Sequence, residues 1–208
     1  MSPWPPALPL PSQQSVFPCG PGSSASWAWR SKGVSITMIL LIDGRSGSGK
    51  TTFSAKLHSI LGWPVIHLED VYPGWYGLQK ASAEVAETIL NPALPADKRG
   101  YRRWDWYASE FAEWVPTPPD SSLIVEGCGA VTEANLAAAR AIGDGNAWGV
   151  WVELDTQTRF ARAMARDDHF EEHWDMWAEQ ESQHMAKHNP QQLVDWTINV
   201  PEQLTWKL

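Results

Sequence analysis

The stretch that decides the fold is Met38-Ile-Leu-Leu-Ile-Asp43-Gly44-Arg45-Ser46-Gly47-Ser48-Gly49-Lys50-Thr51-Thr52. Its apolar start, closed by Asp43, predicts a buried strand over residues 38–43. The glycine- and serine-rich residues that follow predict a loop. A helical pattern then runs from Lys50 to about Leu61. Strand, glycine loop and helix in this order predict the first unit of an α/β sheet.

The glycine loop has the spacing Gly-x-x-x-x-Gly-Lys-Thr of a phosphate-binding P-loop. Glycines let backbone N–H groups turn toward phosphate oxygens, and the N-terminus of the next helix adds partial positive charge. We expect Lys50 to reach the β- and γ-phosphates and Thr51 to offer its hydroxyl to Mg²⁺. The predicted cofactors are ATP and Mg²⁺, and the predicted cofactor-binding residues are Gly44, Arg45, Ser46, Gly47, Ser48, Gly49, Lys50, Thr51 and Thr52. The alternative is a Gly/Ser turn that caps a helix, with Thr52 as no more than a first-turn residue.

Outside this unit, short apolar runs alternate with helical patterns, which is typical of a parallel sheet covered by helices. The predicted fold class is α/β: a P-loop NTPase with a doubly wound, five-stranded parallel sheet and a helical lid. Further strands are expected at residues 64–68, 122–126, 148–154 and 196–200, and further helices at residues 132–141, 156–166 and 170–188. The long stretch 72–119 should build the substrate side, with helices near residues 81–90 and 106–114.

Composition favours a protein that acts on small molecules. A chain of 208 residues with 43% hydrophobic content can bury a full core. The formal net charge of −8 disfavours nucleic acid as a partner, because such binding depends on Lys and Arg. The two cysteines, Cys19 and Cys128, lie in no disulfide or metal-ligand pattern, and no apolar run approaches the roughly 20 residues of a membrane span. We therefore expect a cytoplasmic protein without a membrane partner.

Residues 1–37 are rich in Pro, Ser, Gly and Trp and have no helical or alternating periodicity. Such a segment cannot readily offset the entropy of ordering, so it is expected to be disordered. Met38 stands directly before the first strand. We hypothesise that Met38 is the natural start, which would make residues 38–208 the P-loop domain.

The chain contains 14 tryptophans, several of them beside an acidic residue. Large aromatic rings mostly fill cores and interfaces, and packing is the reading we favour. The alternative is that some of the rings wall a substrate pocket.

Two other classes of P-loop protein lack support in the sequence. A guanine-specific GTPase would carry an Asn-Lys-x-Asp motif, and a transporter ATPase would carry an LSGGQ-like stretch. Neither motif occurs. The rest of the chain therefore has to identify the reaction.

Carboxylates follow two of the predicted strands. Glu69 and Asp70 come after the second strand, and Glu126 ends the third. Ligands of a parallel α/β sheet lie beyond the carboxyl ends of its strands, so these acids should lie near the phosphate loop. Phosphoryl transfer to an alcohol needs a carboxylate that positions the hydroxyl, and acidic groups around the metal. Glu69 and Asp70 cannot both face the phosphate in an extended strand, so one of them is expected to be structural.

A set of short motifs resembles the uridine kinase and nicotinamide riboside kinase group over about residues 38–167. The motifs are the P-loop, Glu69-Asp70-Val71-Tyr72, Trp104-Asp105, Val125-Glu126-Gly127 and the run from Thr158 to Asp167. The resemblance implies that Glu69 is the catalytic base and that Glu126 helps to hold magnesium. It also implies that Asp105 binds ribose hydroxyls, and that Arg162 and Arg166 contact phosphates and adenine.

The sequence departs from that group on the acceptor side. Glu69 replaces the usual Asp, which leaves Asp70 as the alternative base. The interval from Asp105 to the third strand is too short for the hairpin that grips the base in uridine kinases. We therefore expect a different pocket, suited to a sugar, a nucleoside or an anionic small molecule. Its predicted substrate-binding residues are Tyr72, Trp75, Arg102, Arg103 and Asp105.

Arg159, Arg162 and Arg166 are spaced three and four residues apart, so they are expected to share one helical face. Such arginines can spread the charge of a transferring phosphoryl group, and the alternative is a solvated basic face. The pairs His169/His173 and His184/His188 have a spacing that can bind a metal. Without a HExxH signature, we favour a polar helix face for them.

The sequence therefore predicts a kinase of nucleoside-kinase type that transfers phosphate to a hydroxyl of a small molecule. The predicted catalytic residues are Lys50, Glu69, Asp70, Arg162 and Arg166, and the predicted metal ligands are Thr51 and Glu126. The alternatives are a kinase of a sugar or hydroxy acid, of the gluconate or shikimate type, and an ATP-binding regulator without transfer activity. A homodimer is left open.

Overall fold

The computed structural model describes residues 37–119 and 121–200, apart from the side chains of Asp168 and His169. Nearly all of the segment expected to be disordered, residues 1–37, lies outside the described residues. That expectation and the proposed start at Met38 therefore stay predictions.

A parallel sheet of five strands, in the order β2-β5-β1-β6-β7, forms the centre of the fold. This confirms the predicted α/β class and the predicted number of strands. β1 lies in the middle, so the loop after it opens where the strand order reverses, the usual ligand position in such sheets. The strands are β1 Ile39–Asp43, β2 Val65–His67, β3 Gly100–Asp105, β4 Glu110–Pro116, β5 Leu123–Glu126, β6 Ala147–Glu153 and β7 Trp196–Asn199.

Helices cover both faces of the sheet and begin close to where the sequence places them. Thr132 and Asp155 cap two of them, because their side chains accept backbone N–H bonds in the first turn. The helices are α1 Lys50–Leu61, α2 Leu78–Glu84, α3 Glu133–Ile142, α4 Thr156–Arg166, α5 Trp174–His188 and α6 Pro190–Leu193. Short 3₁₀ helices span Leu68–Asp70, Ala96–Lys98 and Asp168–His173, and a π-helical segment, Val85–Ile89, continues α2. Among the described residues, no helix is long and apolar enough to cross a bilayer.

Two hydrophobic clusters form the core, one on each face of the sheet. Alternate residues of β1 enter different clusters, Ile39 and Leu41 on one face and Leu40 and Ile42 on the other. The first cluster is covered by α2, α3 and α5, and the second by α1. Burial on both faces explains why β1 is a continuous apolar run instead of an alternating one.

The segment expected to be a helix at residues 106–114 is instead the turn and second strand of an antiparallel hairpin, β3–β4. The Asp105 carboxylate accepts the N–H groups of Tyr107 and Ala108, both at 2.9 Å, and Ser109 has φ 55°. These features reverse the chain and prevent a helix from continuing. The expected helix at residues 106–114 is therefore wrong, whereas the expectation that no base-gripping hairpin follows Asp105 stays a prediction.

The tryptophans do not have one common role. Trp151 and Trp177 are buried in the core, as the packing interpretation expects. Trp114 and Trp196 are 46% and 54% exposed. Trp75 and Trp106 lie between these extremes and pack against each other beside the hairpin, with ring centroids 5.1 Å apart.

Candidate active site

The glycine loop joins β1 to α1 and has the strained backbone that its glycines allow. Gly47 and Gly49 have φ values of 79° and 100°, which lie in the left-handed region. A Cβ on Gly47 would collide with the carbonyl group of Arg159. Ser48 is fully buried, and its hydroxyl has no hydrogen-bond partner among the described residues. The loop therefore has a backbone path that requires glycine at position 47 and favours it at position 49.

Lys50 is the first residue of α1, and its side chain folds back over the loop. Its Nζ donates to the Arg45 carbonyl at 3.1 Å and lies 3.4 Å from the Cys128 sulfur. Burial alone would lower the pKa of Lys50, but the acidic groups around it, Cys128, Glu126, Glu181 and Asp43, raise it. Lys50 is therefore a cation held inside the loop. Thr51 follows it with an exposed side chain, and Thr52 is half-buried.

Asp43 joins the start of the loop to the segment after β5. Its carboxylate accepts the N–H groups of Gly44, Gly129 and Val131 at 2.7, 3.0 and 2.9 Å. Burial raises the pKa of Asp43 to about 6, although these hydrogen bonds oppose the shift. Sequence reasoning used Asp43 only as the end of a strand, and its position next to the loop was the available signal.

Glu181 on α5 is a second residue that sequence reasoning missed. Its carboxylate accepts the Ser46 N–H at 2.5 Å and the Arg45 Nε–H at 2.8 Å. The side chain is 4% exposed, and the Cys128 thiol donates to it at 3.4 Å. No motif in the sequence distinguishes Glu181 from the other acidic residues of that helix.

Glu69 and Asp70 lie on the single turn Leu68–Asp70, directly after β2, and face different neighbours. Glu69 Oε1 lies 3.7 Å from Arg166 Nη1. Partial desolvation in the cleft raises the pKa of Glu69, and Arg166 partly offsets the shift. Burial also raises the pKa of Asp70, and the nearby His67 and Arg103 side chains partly offset this rise. Glu69 therefore faces the arginine helix and Asp70 faces the hairpin.

Glu126 ends β5 next to Ile42 of β1 and is 2% exposed. His67 Nδ1 lies 2.6 Å from Glu126 Oε1, a hydrogen bond that the sequence did not indicate. Burial opposes the charge of His67, but this hydrogen bond and the nearby acids outweigh it, so the pKa of His67 is raised. The carboxylate of Glu126 is thus fixed in orientation at the carboxyl edge of the sheet.

The three arginines of α4 have separate roles. Arg159 is 2% exposed and donates to the carbonyls of Ser46 and Leu154, both at 3.1 Å. It therefore supports the loop from behind and is not part of a solvated basic face. Arg162 extends over the other end of the loop, since its Nη1 would lie 3.8 Å from a Cβ placed on Gly49. Arg166 reaches Glu69, as described above.

The residues predicted to bind the acceptor are only partly brought together. Arg102 donates to the Ala112 carbonyl across the hairpin, at 2.8 Å for its closest nitrogen. Arg103 binds Glu113 through two nitrogens, at 2.8 and 3.1 Å, and lies 3.8 Å from Asp105. Both arginines are therefore engaged within the hairpin.

The two aromatic residues predicted on this side occupy different environments. Tyr72 is 2% exposed and donates its hydroxyl to the Cys128 carbonyl at 2.8 Å, so it is a core residue. Trp75 is half-buried and stacks on His173, with ring centroids 3.9 Å apart. The Trp106 Nε1–H donates to the Glu69 carbonyl at 2.9 Å and so joins the hairpin to the acidic turn.

The described histidines of α5 differ in their surroundings, and His184 does not lie on a polar helix face. His184 is buried beside Asp43, with Nε2 and Oδ2 3.8 Å apart, and burial lowers its pKa. Its ring lies 4.8 Å from that of His188. Within residues 37–119 and 121–200 no three His, Cys, Asp or Glu side chains form a group that could hold a metal ion. The polar-face interpretation is therefore wrong for His184.

Comparison with solved structures supports the fold. A structure described as a possible uridine kinase from Bacillus stearothermophilus aligns with a TM-score of 0.52 at 17% identity, over 78% of this chain and 88% of that one. A gluconokinase from Sinorhizobium meliloti 1021 aligns with a TM-score of 0.45 at 18% identity, over 81% and 85% of the two chains. A shikimate kinase from Bacteroides thetaiotaomicron aligns with a TM-score of 0.44 at 15% identity, over 81% of this chain and 89% of that one. No protein-family model matches the chain, and no curated protein matches it significantly. The alignment with a TM-score of 0.52 confirms the resemblance at the level of the fold.

Proposed function

We propose that this protein is an ATP-dependent kinase that transfers the γ-phosphate to a hydroxyl of a nucleoside-like small molecule. The observation that carries the proposal is the convergence of four charged groups around the phosphate loop. Lys50 lies inside the loop, Glu126 ends the neighbouring strand, and Glu69 faces Arg166 at 3.7 Å. A phosphate cradle with a carboxylate and cations beside it is what phosphoryl transfer to an alcohol requires.

Thr51 and Glu126 fit a magnesium ion. Mg²⁺ is usually held by one or two protein oxygens together with the nucleotide phosphates, so no larger cluster is needed. Glu126 is buried, and only one of its carboxylate oxygens is hydrogen-bonded among the described residues. Bound there, Mg²⁺ would neutralise charge on the β- and γ-phosphates.

Glu69 is the proposed general base. Its carboxylate would accept the proton of the acceptor hydroxyl while that oxygen bonds to the γ-phosphorus and the bond to the β–γ bridging oxygen breaks. The raised pKa of Glu69 suits this role, because a base works best when its pKa approaches the working pH. Lys50, Arg162 and Arg166 would hold the phosphates, whose charge shifts toward the ADP oxygen.

A neutral, hydroxylated acceptor is favoured by the state of the cations on the acceptor side. Arg102 and Arg103 are bound to Ala112 and Glu113, so neither is free to bind an acidic acceptor. Asp105, on the hairpin beside Glu69, is the proposed hydroxyl-binding acid. Its Oδ1 closes the turn, so Oδ2, which lies 3.8 Å from Arg103 Nη2, is the oxygen proposed for this role.

A screen for ADP formation from ATP over nucleosides, sugars and hydroxy acids tests the proposal, with Lys50→Ala as the inactive control. We expect turnover with nucleosides. Turnover only with sugars or hydroxy acids would assign the protein to that class. Binding of ATP without turnover on any acceptor would identify a regulator instead.

A further inference from the structure

An acidic side chain of the protein itself lies in the phosphate loop. Glu181 lies on α5, 135 residues after Ser46 in the sequence. Its side chain is almost fully buried. Its two oxygens accept from the Ser46 N–H and from the Arg45 guanidinium, at 2.5 and 2.8 Å. Loop N–H groups of this kind are the donors that bind phosphate oxygens.

The Glu181 carboxylate lies at the end of the loop that the lysine serves. The Cys128 thiol accepts from Lys50 Nζ and donates to Glu181 Oε1, at 3.4 Å in both cases. The lysine of a P-loop reaches the β- and γ-phosphates. Because the Glu181 carboxylate and the Lys50 ammonium both contact the Cys128 sulfur, the carboxylate lies on the side of the loop where the lysine would meet these phosphates.

Two anions cannot share this region without cost. The repulsion between a carboxylate and a phosphate a few ångströms apart is large where little water screens it. ADP has no γ-phosphate, so the carboxylate can stay in its place when ADP binds. The γ-phosphate of ATP would need the same place. Glu181 should therefore weaken the binding of the triphosphate more than the binding of the diphosphate.

We propose that Glu181 is an internal competitor of the γ-phosphate, and so a determinant of triphosphate against diphosphate selection. The carboxylate binds the loop both in the nucleotide-free protein and in the ADP complex. It is displaced when ATP binds. This inference rests on the proposed function, which assigns the loop to ATP.

Displacement of Glu181 would also affect the acceptor side, because α5 contacts the segment after the acidic turn. Trp177, one turn earlier on the helix, packs edge-on against Tyr72 with ring centroids 5.0 Å apart. Gln180 donates to the Trp75 carbonyl at 2.8 Å. The helix that carries the competitor thus also supports the turn that leads from the acidic residues to α2.

Calorimetric binding of ADP and of a non-hydrolysable ATP analogue, both with Mg²⁺, tests the inference. We expect Glu181→Gln to tighten analogue binding by about tenfold or more, because a buried like charge is removed, and to change ADP binding much less. Glu179→Gln is the matched control, since it removes the same charge from an exposed site on the same helix. It should match the wild type.

A second variant keeps the test decisive if Glu181→Gln does not fold. Glu181→Asp keeps the charge but withdraws it by one methylene, and it should shift the ratio of the two affinities in the same direction. An unchanged or lowered preference for the triphosphate in the folded variants would overturn the inference and make Glu181 a tether of Arg45. A wild type that binds neither nucleotide would instead refute the proposed function, and the inference with it.

Discussion

At the scale of the residue, the acidic turn after β2 separates two neighbouring carboxylates by their surroundings. Glu69 has Arg166 as its closest cation, whereas Asp70 has His67 and Arg103. The turn begins as soon as β2 ends, so adjacent side chains diverge around it instead of alternating across a strand. This arrangement favours Glu69 as the base, in line with the resemblance to uridine kinases.

The first prediction concerns that base. Glu69→Gln should lower kcat by about 10²- to 10⁴-fold, because it removes proton acceptance while keeping size, and Asp70→Asn should cost much less. Wild-type kcat/KM should fall on the acid side at a pH above the ordinary value of 4.5, since the base must be deprotonated and its pKa is raised. Steady-state rates of both variants across pH check this. A larger loss in the Asp70 variant would assign the base to Asp70.

The second prediction concerns Asp43, whose folded-state pKa is about 6 against an ordinary 3.8. Between these values the folded protein binds the proton more tightly than the unfolded chain does. The stability contributed by Asp43 should therefore be greatest below about pH 4 and be lost as pH rises through about 6, by on the order of 3 kcal/mol.

Denaturant unfolding of the wild type and of Asp43→Asn is measured across this pH range. The contribution of Asp43 is the change with pH in the difference between their free energies of unfolding. The difference cancels the contribution of titrating groups remote from Asp43, and the same comparison in a His184→Asn background removes the coupling to His184, which lies 3.8 Å from Asp43 Oδ2. Parallel stability curves for the two proteins would show that Asp43 has no raised pKa.

At the scale of the element, α4 combines an arginine that supports the loop with one that is proposed to bind phosphate. Arg159 supports the phosphate loop through the Ser46 carbonyl, and Arg162 lies over Gly49 one turn later. Spacing alone placed them on one face. The structure separates them, because Arg159 is buried between the loop and the end of β6.

Replacing each of these arginines by methionine tests the division. Arg159→Met should lower the free energy of unfolding by about 3 kcal/mol, because two buried carbonyls lose their donor, and should weaken ATP binding. Arg162→Met should leave stability nearly unchanged and lower kcat. Thermal unfolding and initial rates distinguish the two variants, and equal effects on stability would contradict the division.

Elements with strong periodicity were predictable from the sequence, whereas the hairpin was not. The bounds of α1 and α4 follow from a glycine loop and an Asp cap that act locally. β3 and β4 depend on pairing across a turn that Asp105 and Ser109 close, and their polar faces show no clear alternation. Such pairing is set by tertiary context, which a single sequence does not show.

The same limit explains which site residues could be found. Lys50, Glu69 and Glu126 follow strands or lie in a motif, so their place at one edge of the sheet could be predicted. Glu181 and His67 reach the site from helix and strand positions with no local signal. Their roles depend on packing between elements distant in sequence.

At the scale of the whole molecule, the topology assembles the site from separate parts of the chain. The loop after β1, the turn after β2 and the end of β5 meet at one edge of the sheet, while α4 and α5 bring Arg166 and Glu181 from the C-terminal half. The core that supports these parts begins at Ile39. Residues 38–208 should therefore be sufficient for the fold.

A chain that starts at Met38 tests this expectation. Its thermal midpoint should agree with that of the full chain to within about 2 °C, and its ATP affinity should be unchanged. The Met38 amine can still donate to the Ser122 hydroxyl, at 3.0 Å in this structure. A clearly lower midpoint would show that residues 1–37 contribute to folding.

The most direct test of the account is ³¹P NMR of ATP and Mg²⁺ incubated with the protein and a mixture of nucleosides. The account predicts that the γ-phosphate resonance of ATP disappears and a phosphomonoester resonance replaces it, and that Glu69→Gln suppresses the change. Unchanged ATP, or inorganic phosphate as the only product, would contradict it.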